Sequence, residues 1–232
     1  MIALNISNTK IAQVGEYLYP EEAELIINAC PNERDRLILR TMWETGGRVS
    51  EVLSLTVEDI DVVNNVLYLI TLKRKDKRGR KVGEKRKVRP IERRNVPKRK
   101  VYLFPESTLC RDLQDYVVSN KLELRDWVFQ GGCRNEGIEG QVSTTHVWHL
   151  LADTRPNRRP GLSVSLGIRK LKGAVNRPVW PHLWRHGAAM NMLERIGSLP
   201  VVQMQLGHTS VTSTEVYAGL TDKARKEMID RC

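Results

Sequence analysis

The chain has 232 residues, of which 41% are hydrophobic, so it is long enough for one large domain or two small ones with a real core. Its 38 Lys and Arg residues outnumber its 27 Asp and Glu residues, which gives a net charge of +11 and a pI near 9.7. A basic excess of this size favours a polyanionic partner, most simply nucleic acid.

Cysteine usage and hydropathy argue against several other classes of protein. The cysteines are far apart and form no C-x-x-C pair, which argues against a zinc site and a disulfide framework. They are Cys30, Cys110, Cys133 and Cys232. The first residues lack the apolar core of a signal peptide, and no stretch approaches the ~18 apolar residues of a membrane span. We therefore expect a soluble, cytoplasmic protein.

The first third of the chain is predicted to be helical after a short lead-in at residues 1–19. Pro20, followed by two glutamates, begins a predicted helix that runs to about Ala29. Apolar spacing predicts a second helix over 34–44, which Gly46 and Gly47 end. Ser50 can cap the short helix that follows.

A β-hairpin is predicted next, because the hydrophobic period changes. The run NNVLYLITLK (64–73) is rich in strand-forming residues, and a second run, KVRPI (87–91), follows a charged stretch. Pro90 lacks a backbone N–H, so the second strand should lie at an edge or be irregular.

The tip and far arm of this hairpin contain the whole positive excess. Residues 73–100 hold 16 Lys and Arg against three acids, a net of +13, so the rest of the chain carries −2. This basic segment is predicted to contact phosphates, which needs only charge within reach. The alternative is a solvated, partly disordered loop. The residues predicted to bind substrate here are Lys75, Lys77, Arg78, Arg80 and Lys81.

The remainder is predicted to be mostly helical. Expected helices cover 107–120, 143–153 (capped by Ser143), 162–175, 181–195, a short one from Pro200 to about Gly207, and a last one from Thr221. The fold class is therefore mainly α with a small antiparallel β-sheet inserted early. The domain prediction is a catalytic domain over 20–232, with the basic hairpin at about 73–100.

Three polar motifs occur along this framework. ETGGRVSEVLSL places Arg48 after a glycine pair, with Glu51 three residues later, where it could hold the guanidinium. PHLWRHG places His182 and Arg185 on one helix face, near a helix start that favours anions. LGHTSVTSTEVYAG places Tyr217 nine positions after His208. Each motif alone is more simply a surface arginine, a polar helix face or a packed aromatic.

Together, in this order, the motifs resemble the arginine box, the HxxR box and the final tyrosine box of the tyrosine recombinases, the phage integrase and Xer-like family. The resemblance covers residues 19–232 and implies that family's catalytic-domain fold. It implies that Tyr217 attacks a DNA phosphodiester to leave a 3′-phosphotyrosyl link. Arg48 and Arg185 would bind the non-bridging phosphate oxygens, with a further hydrogen bond from His208. His182 would assist removal of the tyrosine proton.

The family also uses a hairpin lysine as the general acid for the leaving 5′-oxygen. Lys73 stands at the matching place, and Lys75, which shares its strand face, is the alternative. The physical chemistry agrees with this residue set. Guanidinium forks fit phosphate oxygens, and cations or an imidazole activate a phenol whose ordinary pKa is ~10. No metal and no cofactor are needed for this chemistry.

The sequence departs from the family at its N-terminus, because family members carry a core-binding domain that clamps DNA and only about 19 residues precede the catalytic domain here. The chain could be minimal, excised, or completed by another protein. The resemblance implies double-stranded DNA as partner and a homotetramer on DNA, with the last helix packing in cis or in trans. The competing functions are a type IB topoisomerase-like nicking-closing enzyme and a non-catalytic DNA-binding protein.

Overall fold

The structure is a computed structural model that describes residues 17–71, 96–131, 140–152, 159–166 and 179–207. The described chain divides into two compact units, one formed by residues 1–48 with 147–232 and the other by residues 49–146. Among the described residues, none of the helices is both long enough and apolar enough to cross a bilayer.

The first unit is built on two long helices. Asn32 caps α2 by accepting a hydrogen bond from the Asp35 amide, 3.1 Å away, and Gly46 ends it in the left-handed conformation, with φ of 58°. The helices of this unit are α1 (Pro20–Asn28), α2 (Glu33–Thr45), α6 (Leu162–Ser165), α7 (Pro181–Ile196) and α8 (Leu199–Leu206).

The core of this unit lies where α2 packs against α7. The Trp43 and Trp184 rings meet edge to face with centroids 5.7 Å apart, and the Trp184 indole N–H donates to the Leu39 carbonyl at 3.2 Å. A Cβ on Gly187 would lie 2.4 Å from the Leu18 carbonyl oxygen, so only glycine permits α7 to approach the chain before α1 this closely. These contacts fix the position of α7.

The second unit is a small sheet with helices. Its elements are α3 (Val49–Leu53), a 3₁₀ turn (Val57–Asp59), β1 (Ile60–Asp61), β2 (Val66–Ile70), β3 (Lys98–Tyr102), α4 (Leu109–Ser119) and the start of α5 (Thr144–Ala152), which continues into the first unit. The strands are antiparallel in the order β1-β2-β3. Buried Leu67 pairs with Val101, and buried Leu69 pairs with Arg99.

The predicted helix starts and stops are largely confirmed, and the predicted strand pairing is not. Proline begins α1 and α7, Gly46 ends α2, and Ser143 accepts from the Thr145 amide at 3.1 Å. The prediction that 87–91 pairs with the first strand is wrong, because β2 pairs with Lys98–Tyr102 on one side and β1 on the other. Residues 87–91 lie outside the described residues, as do most of the predicted helix 162–175 and the one from Thr221.

Candidate active site

Arg48 lies in the turn between α2 and α3. Gly46 has the positive φ that reverses the chain, and the Gly47 amide donates to the Thr45 hydroxyl at 3.0 Å. The Thr45 hydroxyl thus satisfies the Gly47 N–H, which lies just beyond the end of α2, and this hydrogen bond stabilises the turn. Arg48 is half-buried at its exit. The glycine turn before Arg48 agrees with the sequence prediction, and the role of Arg48 stays a prediction.

His182 and Arg185 lie on the first two turns of α7, which Pro181 begins. Their side chains have different environments. His182 is exposed, whereas Arg185 is buried, with 7% of its surface accessible. A buried arginine is costly unless its donors are satisfied.

The Arg185 guanidinium bridges two backbone segments. One terminal nitrogen donates to the Gly46 carbonyl at 2.5 Å, and the other donates to the Leu206 carbonyl at 2.8 Å. Gly46 is two residues before Arg48, and Leu206 is two residues before His208. The planar fork of arginine therefore joins the element that carries the first motif to the element that leads into the third.

Close packing accompanies these hydrogen bonds. A Cβ on Gly46 would lie 2.4 Å from the Leu206 Cδ2 atom, so the end of α2 and the end of α8 are in direct contact. Gly207, with φ of 65°, then ends α8. The ends of both helices thus meet beside Arg185.

The structure describes part of the predicted site. Arg48, His182 and Arg185 are described, and Arg185 is held against the backbone that precedes Arg48. The other predicted site residues lie outside the described residues. They are Lys73, Lys75, Lys77, Arg78, Arg80, Lys81, His208 and Tyr217.

The base of the basic hairpin contains ion pairs that sequence reasoning missed. The Arg99 guanidinium donates to the Glu51 carboxylate at 2.9 Å, and the Lys98 ammonium lies 2.5 Å from Asp59 and 3.2 Å from Glu58. All three acids lie well before the hairpin in sequence, so only the tertiary fold could reveal their pairing. The sequence predicted that Glu51 could orient Arg48. The structure shows that Glu51 also binds Arg99.

These pairs change the electrostatic character of the hairpin base. Burial, the largest single influence, lowers the pKa of Lys98, but hydrogen bonds and attraction from Asp59 and Glu58 together outweigh it and raise that pKa above its ordinary value. Lys98 and Arg99 are thus fixed by internal acids. Nearby, the Lys100 ammonium lies 5.8 Å from the centre of the Tyr68 ring.

The mainly helical fold with its small antiparallel sheet is that of the tyrosine recombinase catalytic domain. The chain belongs to the phage integrase family, whose model matches residues 16–224. The resemblance drawn from the three motifs and the expected fold class are both confirmed.

Individual proteins resemble the chain over most of its length. Tyrosine recombinase XerA of Pyrococcus horikoshii is 27% identical over 99% of this chain and 66% of its own. A crystal structure of XerA recombinase superposes with a TM-score of 0.60 at 22% identity, covering 93% of this chain and 62% of that one. The Tn1549 transposon integrase in complex with transposon right end DNA superposes with a TM-score of 0.57 at 20% identity. This match covers 93% of this chain and 65% of the integrase chain. The chain thus spans slightly less than two thirds of these proteins.

Proposed function

We propose that the protein is a site-specific DNA recombinase that cleaves and rejoins DNA through a 3′-phosphotyrosyl intermediate. The observation that carries the proposal is the Arg185 fork. It ties the backbone that precedes Arg48 to the end of α8, two residues before His208, so the first two motifs and the start of the third share one locality.

The arginines bind the scissile phosphate in this proposal. Arg48 projects from a turn that two glycines shape, and Arg185 is supported from behind by two carbonyl oxygens. A guanidinium has five N–H donors. In this proposal the guanidinium of Arg185 and the side chain of His208 donate to the non-bridging oxygens. Preorganised cations of this kind stabilise the extra charge that the pentacovalent transition state develops.

Cleavage is a transesterification that needs no outside energy. The Tyr217 oxygen forms a bond to phosphorus while its proton passes to the exposed imidazole of His182. The bond from phosphorus to the 5′-oxygen breaks, and the Lys73 ammonium, or that of Lys75, protonates the leaving oxygen. The phosphotyrosyl bond conserves the energy of the phosphodiester, so a 5′-hydroxyl can reverse the step and rejoin the strand.

The partner is double-stranded DNA, and we place the reaction in the cytoplasm, on a homotetramer that pairs two sites. The net charge of +13 over 73–100 supports the DNA assignment. So does the fold, since the Tn1549 integrase of the same fold was solved with transposon right end DNA. Contacts between the hairpin and DNA phosphates orient the protein on the duplex, but they do not select a DNA sequence.

Covalent trapping tests the proposed chemistry. The protein and its Tyr217→Phe variant are each incubated with a diverse pool of nicked duplexes, denatured in detergent, and examined for DNA-linked protein. A band in the wild type that disappears in Tyr217→Phe supports the proposal, and sequencing the trapped DNA gives the site. A band that persists in the variant contradicts the assignment of Tyr217. DNA binding without any band favours a non-catalytic binding protein.

Site dependence separates recombination from topoisomerase-like nicking and closing. Both reactions use the same covalent step, but strand exchange needs two paired sites. The trapped duplex is therefore placed once or twice in a supercoiled plasmid. Recombinant products that require both copies support the proposal, whereas relaxation that is equally fast with one copy favours the topoisomerase alternative.

A further inference from the structure

The chain that enters α1, residues 17–19, lies directly against α7, and we call it the entry segment. Leu18, its middle residue, is completely buried. A Cβ built on Gly187 of α7 would overlap the Leu18 carbonyl oxygen and lie 2.9 Å from the Leu18 Cβ. Only a glycine at this position lets the two backbones approach so closely.

Ring contacts extend this attachment by one residue on each side. The Tyr17 ring meets the His186 ring edge to face with centroids 6.4 Å apart, and the Tyr19 ring packs on Tyr17 at 5.0 Å. The Tyr19 amide donates to the Glu22 carboxylate at 2.9 Å, which fixes the entry segment to the start of α1. The entry segment therefore contacts α7 at two successive residues, His186 and Gly187.

Those two residues directly follow Arg185 on α7. Successive residues of an α-helix are rotated by about 100°, so Gly187 lies about 200° around the axis from Arg185. The entry segment thus packs on nearly the opposite side of α7 from the arginine, whose guanidinium donates to the Gly46 and Leu206 carbonyls. This part of α7 is held between the entry segment and the ends of α2 and α8.

Trp43 of α2 limits the movement of α7 at the same place. Its Cζ3 atom would lie 3.0 Å from the Cβ built on Gly187. A methyl group added at Gly187 would therefore meet the entry segment on one side and α2 on another. Because protein interiors are close-packed, such a group must displace α7 rather than be absorbed locally.

We propose that Tyr17 and Leu18 are positioning residues for Arg185: through α7 they hold its guanidinium where it meets the scissile phosphate. This inference rests on the proposed function. A cation stabilises the transition state only if it is already directed at the oxygen on which charge develops. A misplacement of about 1 Å can cost about 10²-fold in rate.

A neutral substrate isolates this effect. A methyl group in place of one non-bridging oxygen removes the negative charge of the scissile diester, so a guanidinium has less charge to stabilise. Suicide duplexes carrying the site trapped by the wild type are made with a phosphate or a methylphosphonate at the cleavage position. Single-turnover cleavage rates and duplex affinities are measured for wild type, Gly187→Ala, Tyr17→Leu and Tyr17→Phe.

Two further variants calibrate the experiment. Arg185→Lys is the reference for a weakened phosphate contact, because an ammonium lacks the planar fork of a guanidinium. Gly197→Ala is the matched control, since it also places alanine at a glycine of α7, at its C-terminal end, where a Cβ meets nothing within 4 Å.

We expect Gly187→Ala to slow cleavage of the phosphate duplex by about 10²-fold. Tyr17→Leu should slow it by about tenfold, whereas Tyr17→Phe, which keeps the ring, should stay within about threefold of wild type. Duplex affinity should change by less than about threefold, because the loss belongs to the transition state. On the methylphosphonate, Gly187→Ala, Tyr17→Leu and Arg185→Lys should all approach the wild-type rate. Gly197→Ala should leave the ratio of the two rates unchanged.

Equal losses on both substrates in Gly187→Ala would overturn the proposal in favour of a purely structural role, and so would no loss on either. If the wild type cleaves only the phosphate duplex, a slower rate at unchanged affinity that Gly197→Ala does not share supports the proposal. A parallel loss of rate and affinity then overturns it. Should Gly187→Ala fail to fold, the comparison of Tyr17→Leu with Tyr17→Phe decides by the same criteria.

Failure of the proposed function gives different results. A wild type that cleaves neither duplex would contradict the proposed function itself. Equal losses on the two substrates in Arg185→Lys would contradict the assignment of Arg185 to the phosphate.

Discussion

Arg185, which we propose binds the scissile phosphate, also contributes to the fold. Its guanidinium is buried and satisfies two helix-terminal carbonyls, at Gly46 and Leu206, that would otherwise lack these donors. Arg48, by contrast, lies half-exposed at a turn. Two arginines with the same assignment in the reaction thus differ in what they contribute to stability.

This difference predicts unequal effects of removing each arginine. Arg185→Ala should lower the free energy of unfolding by about 3 kcal/mol, since charge-assisted hydrogen bonds each contribute roughly 1.5–3 kcal/mol. Arg48→Ala should lower it by less than about 1 kcal/mol, while both variants lose DNA cleavage. Urea denaturation followed by circular dichroism measures this. Equal stability losses would contradict the role of Arg185 as a tie between helix ends.

At the scale of helices and strands, the meeting of α2 with α8 depends on a glycine. Gly46 and Gly197 both have positive φ, 58° and 69°, but a Cβ on Gly46 would collide with Leu206 whereas one on Gly197 would meet nothing within 4 Å. Comparing alanine substitutions at Gly46 and Gly197 therefore distinguishes the cost of backbone strain, which both share, from the cost of steric overlap, which only Gly46 has.

Gly197→Ala should cost about 1 kcal/mol from the left-handed conformation alone, and Gly46→Ala should cost roughly 1–3 kcal/mol more from overpacking. Thermal unfolding of both variants measures the difference. Adding Leu206→Ala to Gly46→Ala should recover part of the extra loss. Identical losses for the two glycine variants would show that the contact between the helix ends is not close.

The attachment of β3 through Lys98 gives a pH prediction. A raised lysine pKa in the folded state means that the ion pair contributes stability below the unfolded pKa of ~10.4 and loses it as the pH rises through the folded value. The stability difference between wild type and Lys98→Met should therefore be constant near neutrality and shrink above about pH 10. Chemical denaturation across this range tests it. A difference that grows with pH would contradict the pairing with Asp59.

At the scale of the whole molecule, the positive charge is divided between structure and binding. Lys98 and Arg99 are engaged with internal acids, so they are not freely available to phosphates. Binding is expected to depend on the cations nearer the tip of the hairpin, namely Lys77, Arg78, Arg80 and Lys81. Their contribution is sequence-independent and sensitive to salt.

Replacing those four residues with glutamine should reduce the slope of log K against log salt by about 3.6, because each phosphate contact contributes roughly 0.9. The matched control exchanges lysine for arginine and arginine for lysine at the same positions, which conserves the charge and should conserve the slope. Fluorescence anisotropy with a short duplex supplies the measurement. An unchanged slope in the glutamine variant would contradict the assignment of these contacts.

Much of the helical framework could be predicted because local signals determine it. Pro20, Pro181 and the glycine pair at 46–47 mark helix ends through backbone geometry alone. The partner of β2 could not be predicted, because both 87–91 and 98–102 contain strand-forming residues and the choice depends on contacts far along the chain. Val101 against Leu67 and Arg99 against Glu51 favour the later segment.

In the candidate site, too, some features could be predicted from the sequence and others depend on the fold. Motif order predicted Arg48, His182 and Arg185 as site residues through the family resemblance, and their assignment in the reaction stays a prediction. The two carbonyl acceptors of Arg185 had no sequence signal, because backbone oxygens are the same at every residue. Glu51 was recognised as a charge near Arg48, but its pairing with Arg99, 48 residues later, is a property of the folded sheet.

The most direct test of the central claim is to identify the atom that becomes linked to DNA. The trapped complex is digested with protease and nuclease, and the cross-linked peptide is sequenced by mass spectrometry. We predict a single adduct on Tyr217, attached to the 3′-phosphate of the cleaved strand, with a free 5′-hydroxyl on the other fragment. An adduct on another residue, or one attached to a 5′-phosphate, would contradict the claim.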